Sequence, residues 1–432
     1  MVTLLFALGV VLGTALLMLP MARSGPGSAD FMVAFFTATS ALCVTGLSTV
    51  DVPNYWSGFG EVAILVMIQV GGFGIMTLAS LLGLLVSRRL GLGSRLNAAG
   101  ESNTVDLGEV GDILLGIFRV TVVIEVAVAV LLGLRFWWGY DEPPLRAAYL
   151  GVFHAISSFN NAGFALFSDS LMGFAGDPWI CLPINTAIIL GGIGFPVLIE
   201  LRRRMAPRLW SLHSKLTLTG TAVMLAAGFI GIALFEWNNP ATLGALDWPA
   251  KLLASFTSSV QPRTAGFNSL DYAQMHESSL FLTTILMFIG GGSASTAGGI
   301  KVSTFFLLLF VILAEVRGER DAEVADRRLE ARVQRQALAI ALLAVGLCVG
   351  STLLFMVLEP IRLQLALFEV VSAFGTVGLS AGVTPTLGVP AQLLLIFLMF
   401  TGRLGTVTLA SALALRQRPH RYRLPEGRPL IG

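Results

Sequence analysis

The chain has 432 residues, of which 55% are apolar and only 12% are charged, with a formal net charge of +2. A typical soluble domain has about 25% charged residues, so this chain has too few for the hydrated surface of a soluble protein of its length. The composition excludes a soluble enzyme or binding domain and predicts an all-α protein that crosses the membrane several times.

Residue types that build catalytic or metal centres are few in this sequence and lie far apart. The cysteines and histidines are Cys43, Cys181, Cys348, His154, His213, His276 and His420. Their separations give neither a disulfide framework nor a metal-ligand spacing. A membrane enzyme would need such groups clustered at membrane depth. We therefore expect no enzymatic activity and no organic cofactor in this chain.

Apolar runs of about 20 residues are long enough to cross the hydrocarbon layer of a membrane. Seven such runs lie at residues 2–20, 60–86, 111–138, 179–200, 214–236, 333–358 and 389–415. An eighth run, residues 278–316, is interrupted by a glycine-rich break at residues 290–300. Four shorter apolar segments, too short to cross, lie at residues 31–43, 147–159, 250–260 and 364–374.

Basic residues are concentrated after the second, fourth, sixth and eighth spans, at residues 88–95, 202–215, 317–335 and 416–428. The positive-inside rule places these clusters in the cytoplasm, and all four lie on one side only if 278–316 is a single interrupted crossing. The sequence therefore predicts eight crossings of the cell membrane (plasma or inner), with both termini cytoplasmic. The four short segments then re-enter from the outer side, which a bilayer tolerates only where the backbone lines a cavity or is buried.

The four short segments share one register. Each runs into a glycine with a phenylalanine ten residues before it; the pairs are Phe36 and Gly46, Phe153 and Gly163, Phe256 and Gly266, and Phe368 and Gly378. About 25 residues later, a second glycine signature follows; these begin at Gly71, Gly191, Gly290 and Gly402. The register predicts four repeats of helix, pore segment and helix in a pseudo-fourfold arrangement around one pore. Their bounds are 1–95, 96–210, 211–330 (with the break 290–300) and 331–432 (with the cytoplasmic C-terminus).

The three residues ending at each glycine are the candidate ion ligands, and we call these segments the filter turns. They are Val44, Thr45, Gly46; Asn161, Ala162, Gly163; Thr264, Ala265, Gly266; and Thr376, Val377, Gly378. Glycine allows backbone conformations that direct carbonyl groups to a common axis, and rings of carbonyl oxygens can replace the hydration shell of an ion. No filter turn has a charged side chain, and the short helices direct their partially negative C-terminal ends toward the cavity, which favours a cation. We therefore expect potassium to bind at the filter carbonyls.

Several motifs resemble the Trk/Ktr/HKT superfamily of potassium transporters. The most specific are Thr45-Gly46-Leu47-Ser48, Asn160-Asn161-Ala162-Gly163-Phe164, Arg263-Thr264-Ala265-Gly266-Phe267-Asn268 and the glycine-rich break that ends at Lys301. The resemblance covers nearly the whole chain. Without the extra N-terminal helix pair of TrkH-type members, the chain is most similar to the KtrB-type membrane subunits. Plant HKT members often have serine in the first filter turn, so Gly46 favours potassium over sodium.

The resemblance implies gated potassium uptake by a homodimer with one pore in each subunit. It also implies a cytosolic KtrA-like ring that binds ATP or ADP, for which the loops 88–103, 202–215 and 317–335 are the expected docking sites. The expected gate is an intramembrane loop with two basic residues. These residues are Gly290, Gly291, Gly292, Ser293, Ala294, Ser295, Thr296, Ala297, Gly298, Gly299, Lys301 and Arg403.

Charged side chains inside apolar spans cost about 2.5–3.5 kcal/mol on insertion scales, so each needs a specific reason. Arg403 and Lys301 follow glycine breaks and are interpreted as gating residues; alternatively, each extends its charge toward the cytoplasmic side. For Glu125 we expect a structural partner on a neighbouring helix. His154 and Glu369 each lie nine residues before a filter glycine, where the favoured interpretation is capping of the N-terminus of the pore helix.

Other transport mechanisms compete with this interpretation. The residues do not separate a gated potassium channel from a sodium-permeable transporter or an ion-coupled potassium/sodium symporter of the same fold, and they leave sodium stimulation open. A different class is a secondary transporter with broken helices at the membrane midplane. This class is disfavoured because the basic loop of every repeat is expected on the same side, which argues against inverted repeats.

Overall fold

The computed structural model of the chain describes residues 2–95, 107–203, 206–319, 321–324 and 327–405, and its regular structure is almost entirely helical. The helices of the first half are α1 (Val2–Leu17), α2 (Phe31–Leu42), α3 (Val52–Tyr55), α4 (Gly58–Arg95), α5 (Leu107–Gly139), α6 (Pro144–Phe159), α7 (Pro178–Ile193) and α8 (Phe195–Arg203). Residues 96–103 of the expected docking loop 88–103 lie outside the described residues.

The second half continues in the same way. Its helices are α9 (Leu212–Glu236), α10 (Trp248–Val260), α11 (Glu277–Phe288), α12 (Val302–Val316), α13 (Ala331–Leu358), α14 (Leu363–Gly375) and α15 (Val389–Phe400). A short antiparallel pair, β1 (Glu323–Val324) and β2 (Arg327–Arg328), lies between α12 and α13. A π-helical turn, Thr401–Gly405, follows α15. The end of the predicted span 389–415 and the basic cluster at 416–428 lie outside the described residues.

Short polar side chains begin several of these helices. The carboxylate of Asp30 accepts a hydrogen bond from the amide of Met32 at 3.1 Å, and Asp177 accepts one from Trp179 at 2.9 Å. Such caps satisfy amide groups that have no acceptor within the helix. Proline occupies the first turn of α6, α7, α10 and α15, where a missing amide hydrogen costs nothing.

The long helices have the composition of membrane spans. Within the described residues, four helical segments are long and apolar enough to cross a bilayer: Gly58–Leu78, Leu114–Gly139, Leu212–Glu236 and Ala331–Leu358. Their outward surfaces carry leucine, valine and isoleucine side chains exposed in the isolated chain, such as Leu234 and Val357. In water such a surface would be unfavourable, whereas lipid tails solvate it. The helices α1, α11, α12 and α15 are apolar but shorter.

Four short helices, α2, α6, α10 and α14, lie at the four short apolar segments of the sequence. Each packs against the helix that precedes it: α2 on α1, α6 on α5, α10 on α9 and α14 on α13. The last described helix, α15, packs on α2, so the first and last parts of the described chain are in contact. Of the phenylalanines ten residues before the glycines, Phe36, Phe153 and Phe368 are fully buried, and Phe256 is half-buried.

The prediction of an uninterrupted span over residues 179–200 is wrong. The helix ends at Ile193, Gly194 has φ +100°, and α8 leaves at an angle of 98° to α7. Hydropathy gives the apolar length of a segment but not its direction, and a glycine with positive φ ends a helix without steric cost. The bend places the basic end of α8, Arg202 and Arg203, away from the line of α7.

Candidate functional site

All four filter turns begin with the same backbone distortion. The residue two positions before each glycine has a positive φ, although none of these residues is glycine. The values are 55° at Val44, 60° at Asn161, 64° at Thr264 and 49° at Thr376. Such conformations are uncommon for the β-branched residues valine and threonine, yet three turns with these residues adopt the same one as the turn with asparagine. Surrounding structure, rather than local preference, therefore fixes each turn.

The filter glycines also have positive φ. The residue between the two positive-φ positions of each turn has a negative φ. The glycine values are 94° at Gly46, 69° at Gly163, 75° at Gly266 and 91° at Gly378. A residue with a Cβ would be strained at each of these positions.

Amide groups of the filter turns point back toward the short helices. In three turns, the residue before the glycine donates to the carbonyl five residues earlier. These pairs are Thr45 to Ser40, Ala162 to Ser157 and Val377 to Ser372, each at 2.8 Å. In the third turn, Ala265 donates to Gln261 at 3.0 Å. A trans peptide holds its carbonyl opposite its amide hydrogen, so the carbonyls that precede these amides point away from the helix ends.

The four glycines form a closed ring. A Cβ added to any filter glycine would collide with a backbone carbonyl oxygen of the next filter turn in chain order. For the fourth glycine, the carbonyl belongs to the first turn. In every case it is the carbonyl of the residue just before the glycine of that turn. The glycines and the carbonyls they face are Gly46 and Ala162, Gly163 and Ala265, Gly266 and Val377, and Gly378 and Thr45. Only glycine permits this approach, and the ring brings four carbonyl oxygens around one axis.

Three of the filter turns also contain a threonine hydroxyl. The side-chain oxygens of Thr45, Thr264 and Thr376 are buried without a hydrogen-bond partner, although buried polar groups normally have one. The turns have no side-chain charge. Carbonyl and hydroxyl oxygens without a fixed charge are a donor set suited to a dehydrated monovalent cation.

Three of the second glycine signatures have a packing role. A Cβ on Gly71, Gly191 or Gly402 would collide with the last turn of a preceding short helix, at the carbonyls of Leu42, Phe159 and Phe374 respectively. Glycine at these positions allows close approach to the ends of α2, α6 and α14, which lead into filter turns.

Between α11 and α12, residues 290–300 form a non-helical loop. Its base is closed by hydrogen bonds from Gly290 to Ile300 and from Val302 to Gly291, both at 2.9 Å. A Cβ on Gly298 would collide with the hydroxyl of Thr376, and one on Gly290 would lie 3.4 Å from the methyl group of Thr264. The loop therefore lies directly against the filter turns.

The bend between α7 and α8 holds the body of this loop. Gly292 donates to Gly192 at 2.7 Å, and Phe195 donates to Ala294 at 3.2 Å. The hydroxyl of Thr296 lies 3.2 Å from Oδ1 of Asn161, a filter-turn residue. Neither the bend nor these contacts was predicted from the sequence, because the bonded residues come from distant parts of the chain.

Two basic residues bind carbonyl groups of the loop. Arg403 is 1% exposed, and its Nη1 donates to the carbonyl of Thr296. Nζ of Lys301 donates to the carbonyl of Ala297 at 2.5 Å. No carboxylate pairs with either residue within the part of the chain that the structure describes. Their positive charges are thus held by backbone dipoles of the loop.

Arg263, immediately before the third filter turn, is a further buried cation that the sequence interpretation did not single out as a functional residue. It is 4% exposed, its Nη2 donates to the hydroxyl of Thr221 at 3.2 Å, and its Nη1 has no partner. Its backbone carbonyl accepts a hydrogen bond from Nδ2 of Asn161 at 3.1 Å. The signal available in the sequence was an arginine inside an apolar segment.

Glu125 has partners on neighbouring helices, in agreement with the expectation. Its carboxylate accepts hydrogen bonds from Nδ2 of Asn160 at 3.0 Å and from Nε2 of Gln69 at 3.3 Å. Asn160 also donates to Oε1 of Gln69 at 2.8 Å. Because Asn160 directly precedes a filter turn, this network joins the turn to α4 and α5.

The capping interpretation of His154 and Glu369 is wrong. Both residues lie well inside their helices, α6 and α14, and both are fully buried. Their side chains instead bind the segments that follow the filter glycines, because the chain turns back past the pore helix at these points. Oε1 of Glu369 accepts from the amide of Ala381 at 3.1 Å, and Nε2 of His154 accepts from Leu166 at 3.3 Å.

Comparison with known proteins places this geometry in a family. The TrkH family of cation transport proteins matches residues 11–419. The Ktr system potassium uptake protein B of Bacillus subtilis is 38% identical, covering 99% of this chain and 95% of the relative. The potassium/sodium uptake protein NtpJ of Enterococcus hirae is 35% identical over 99% of this chain and 95% of its own. The Ktr system potassium uptake protein B of Vibrio alginolyticus is 36% identical, covering 100% of this chain and 94% of the relative.

A solved structure has the same fold. The potassium transporter TrkH from Vibrio parahaemolyticus superposes with a TM-score of 0.72 at 18% identity, covering 94% of this chain and 82% of that one. The expectation that the chain is not an enzyme is confirmed by relatives named as transport and uptake proteins. The matched length and the identity to full-length relatives establish that this membrane protein belongs to the TrkH family of cation transport proteins.

Proposed function

We propose that the protein takes potassium ions into the cell through the ring formed by the four filter turns. The observation that carries this proposal is the closed contact between each filter glycine and the carbonyl of the next turn. A ring of carbonyls can replace the hydration shell of a potassium ion. The names of the relatives, potassium uptake proteins of Bacillus subtilis and Vibrio alginolyticus, support potassium as the ion.

The proposed architecture has four repeats, with bounds 1–95, 96–210, 211–330 and 331–432, in a pseudo-fourfold arrangement. Each repeat contributes two crossings and one re-entrant pore segment, which makes eight crossings with both termini in the cytoplasm. The distribution of basic residues supports this orientation. The contact between α15 and α2 supports a closed arrangement, because it joins the last repeat to the first.

The proposed ion ligands are the backbone carbonyls of the twelve filter-turn residues. The positive φ at two positions of each turn supports this assignment, since amides bonded to the short helix direct the preceding carbonyls away from it. The hydroxyls of Thr45, Thr264 and Thr376 add unpartnered oxygens at the same ring.

The proposed gate is the intramembrane loop, residues 290–300, together with Lys301 and Arg403. Its contacts with Asn161, Thr264 and Thr376 support a position in the ion path, at the inner end of the filter turns. Arg403 holds the loop by its hydrogen bond to Thr296. The loop is buried and hydrogen-bonded to the bend between α7 and α8, so opening would exchange these hydrogen bonds for a second arrangement.

We further propose that the protein acts as a homodimer on a cytosolic ring that binds ATP or ADP. The relatives named as protein B of a Ktr system support a multi-subunit assembly. Co-purification of a cytosolic nucleotide-binding protein with the full chain tests this proposal. Full response of the isolated chain to ATP, with no co-purified protein, would contradict it.

A second candidate function is coupled or parallel transport of sodium. The relative NtpJ, named a potassium/sodium uptake protein and 35% identical, is the observation that favours it. The full chain in liposomes distinguishes the two functions when reversal potential and potassium flux are measured together. A potassium-selective pore follows the potassium Nernst potential, about 59 mV for each tenfold gradient of a monovalent ion. A reversal potential that also depends on the sodium gradient would favour coupling.

A further inference from the structure

Two residues at the same position of two repeats bind the chain on the outer side of the filter. The position lies nine residues before the filter glycine and is occupied by Thr37, His154, Thr257 and Glu369 in chain order. His154 and Glu369 are both 0% exposed. Neither residue contributes an atom to the ring of filter carbonyls.

Glu369 binds three donors in the segment that follows Gly378. The hydroxyl of Ser380 donates to Oε1 at 2.6 Å, and the amide of Ala381 donates to the same oxygen at 3.1 Å. The hydroxyl of Thr384 donates to Oε2 at 2.7 Å. Hydrogen bonds to a carboxylate are shorter and stronger than neutral ones. No basic side chain pairs with this carboxylate among the residues that the structure describes.

His154 makes the equivalent connection in the second repeat. Nδ1 lies 2.8 Å from the carbonyl of Leu150, and Nε2 lies 3.3 Å from the amide nitrogen of Leu166. These partners fix the neutral ring with its proton on Nδ1, because a backbone amide can only donate to Nε2. The ring also stacks on Phe167 with a centroid distance of 5.1 Å and an angle of 20°.

In both repeats, the bonded amide lies three residues after the filter glycine: Leu166 follows Gly163, and Ala381 follows Gly378. The same connection therefore arises from two chemically different side chains. This coincidence of position is the reason to regard the contact as a feature of the pore rather than of local packing.

The other two repeats lack this connection. The hydroxyl of Thr37 and that of Thr49, three residues after Gly46, are both buried without a hydrogen-bond partner. In the third repeat, the hydroxyl of Thr257 accepts from Asn185 on α7 at 2.9 Å. A hydroxyl pair one residue later, Ser258 and Ser269, lies at 3.3 Å. At this position, among the described residues, only His154 and Glu369 bind the amide three residues after the filter glycine.

We propose that His154 and Glu369 are positioning residues that fix the outer ends of the second and fourth filter turns and thereby set the selectivity of the pore for potassium over sodium. The inference rests on the proposed function of the filter turns. Ring size discriminates between the two ions only if the carbonyls keep their positions when the smaller ion binds. Buried, fully bonded side chains behind the turns resist that contraction.

Substitutions at Glu369 separate its charge from its shape. Glu369→Ala removes every acceptor. Glu369→Gln retains one acceptor oxygen, and its side-chain amide can donate a hydrogen bond to the hydroxyl of Thr384. At the equivalent position of the first repeat, Thr37→Val is the matched control, since the hydroxyl that it removes has no partner. His154→Ala tests the second repeat.

The experiment uses the full chain in proteoliposomes and measures the sodium-to-potassium permeability ratio from reversal potentials, together with the KM and maximal rate of potassium flux. We expect Glu369→Ala and His154→Ala to raise the ratio roughly tenfold, as expected for the loss of a charge-assisted or buried hydrogen bond. The permeability ratio of Glu369→Gln is expected to stay within roughly threefold of the wild-type ratio. We expect Thr37→Val to have the wild-type ratio. A purely structural role would lower the maximal rate and leave the ratio unchanged.

Unchanged ratios in both alanine variants would overturn the inference, provided that Gly46→Ser, measured alongside, does change the ratio. If Gly46→Ser also leaves the ratio unchanged, the proposed filter itself fails. Should Glu369→Ala not yield folded protein, Ser380→Ala and Thr384→Val remove two of its donors individually. A raised ratio in these two variants supports the inference, and an unchanged ratio overturns it.

Discussion

Replacing Gly46 with serine changes one of the four glycines of the filter ring. Gly46 has φ +94°, and an added Cβ would collide with the carbonyl oxygen of Ala162 and lie 3.1 Å from Cα of Gly163. A residue with a side chain at such a φ costs about 1–3 kcal/mol. Because the nearest atoms are backbone atoms of the next turn, the ring itself has to move.

This strain falls on the atoms that we propose to coordinate the ion. Since 1.4 kcal/mol corresponds to a factor of ten in an equilibrium constant, we expect the sodium-to-potassium permeability ratio of Gly46→Ser to rise roughly tenfold. The assay is the reversal potential of the purified chain in liposomes with potassium on one side and sodium on the other. A tenfold change in the ratio shifts this potential by about 59 mV.

The matched control is Gly346→Ser on α13, because a Cβ there would meet no atom within 4 Å. We expect this variant to keep the permeability ratio of the wild type. A well-folded Gly46→Ser variant with the wild-type ratio would show that Gly46 is not part of a selectivity filter.

Three further predictions concern the loop, the bend at Gly194 and the hydrogen bonds of Glu125. Arg403→Ala, or a shortened loop lacking residues 292–298, is expected to raise potassium flux roughly tenfold through loss of hydrogen bonds that hold the closed loop, with selectivity unchanged. Gly194→Ala places a side chain at φ +100° and is expected to lower the melting temperature, at a cost of about 1–3 kcal/mol. Asn160→Leu removes a donor from the buried Glu125 and is expected to destabilise by about 1–3 kcal/mol.

Each of these predictions has its own control. Arg146→Ala, at an exposed arginine whose partner Glu142 lies 3.3 Å away, should leave flux unchanged. Gly350→Ala, with no atom within 4 Å of the added Cβ, should preserve the melting temperature. The triple variant Asn160→Leu, Glu125→Leu and Gln69→Leu should recover most of the lost stability, since removing all three members of the network leaves none of them unpaired. Unaltered flux in Arg403→Ala and in the shortened loop would falsify the gate.

Local patterns in the sequence were sufficient to predict where most of the described helices lie, including the four short ones. Apolar length and the recurrence of phenylalanine before glycine are properties of neighbouring residues, and they place α2, α6, α10 and α14 within a few residues. The family was recognised from the same motifs, and the matched relatives confirm it.

The direction of a helix and its contacts with distant parts of the chain could not be predicted from local patterns. The bend at Gly194 depends on the intramembrane loop, whose residues lie about one hundred positions later in the chain. A Cβ on Gly194 would collide with the carbonyl of Ser293, so the bend exists where the two breaks meet. Hydropathy measures neither feature, and a run such as Gly191 to Gly194 reads as part of an apolar span.

The roles of His154 and Glu369 were misjudged for a related reason. An acid placed early in an apolar segment suggests an N-terminal cap, but α14 begins at Leu363, and its N-cap residue is Arg362. The donors to Glu369 lie eleven to fifteen residues later, beyond the filter glycine. Only the return of the chain past its own pore helix brings them together.

The most direct test of the central claim is the position of a heavy monovalent cation in the protein. Crystals grown with thallium in place of potassium should give an anomalous peak on the axis of the ring, shared by the carbonyl oxygens of Thr45, Ala162, Ala265 and Val377. An excess of potassium should reduce that peak, and an equal excess of sodium should not. A ring without a peak, or thallium bound only at some other place such as the outer pocket between Arg135 and Asp177, would contradict the assignment of the filter turns as the ion site.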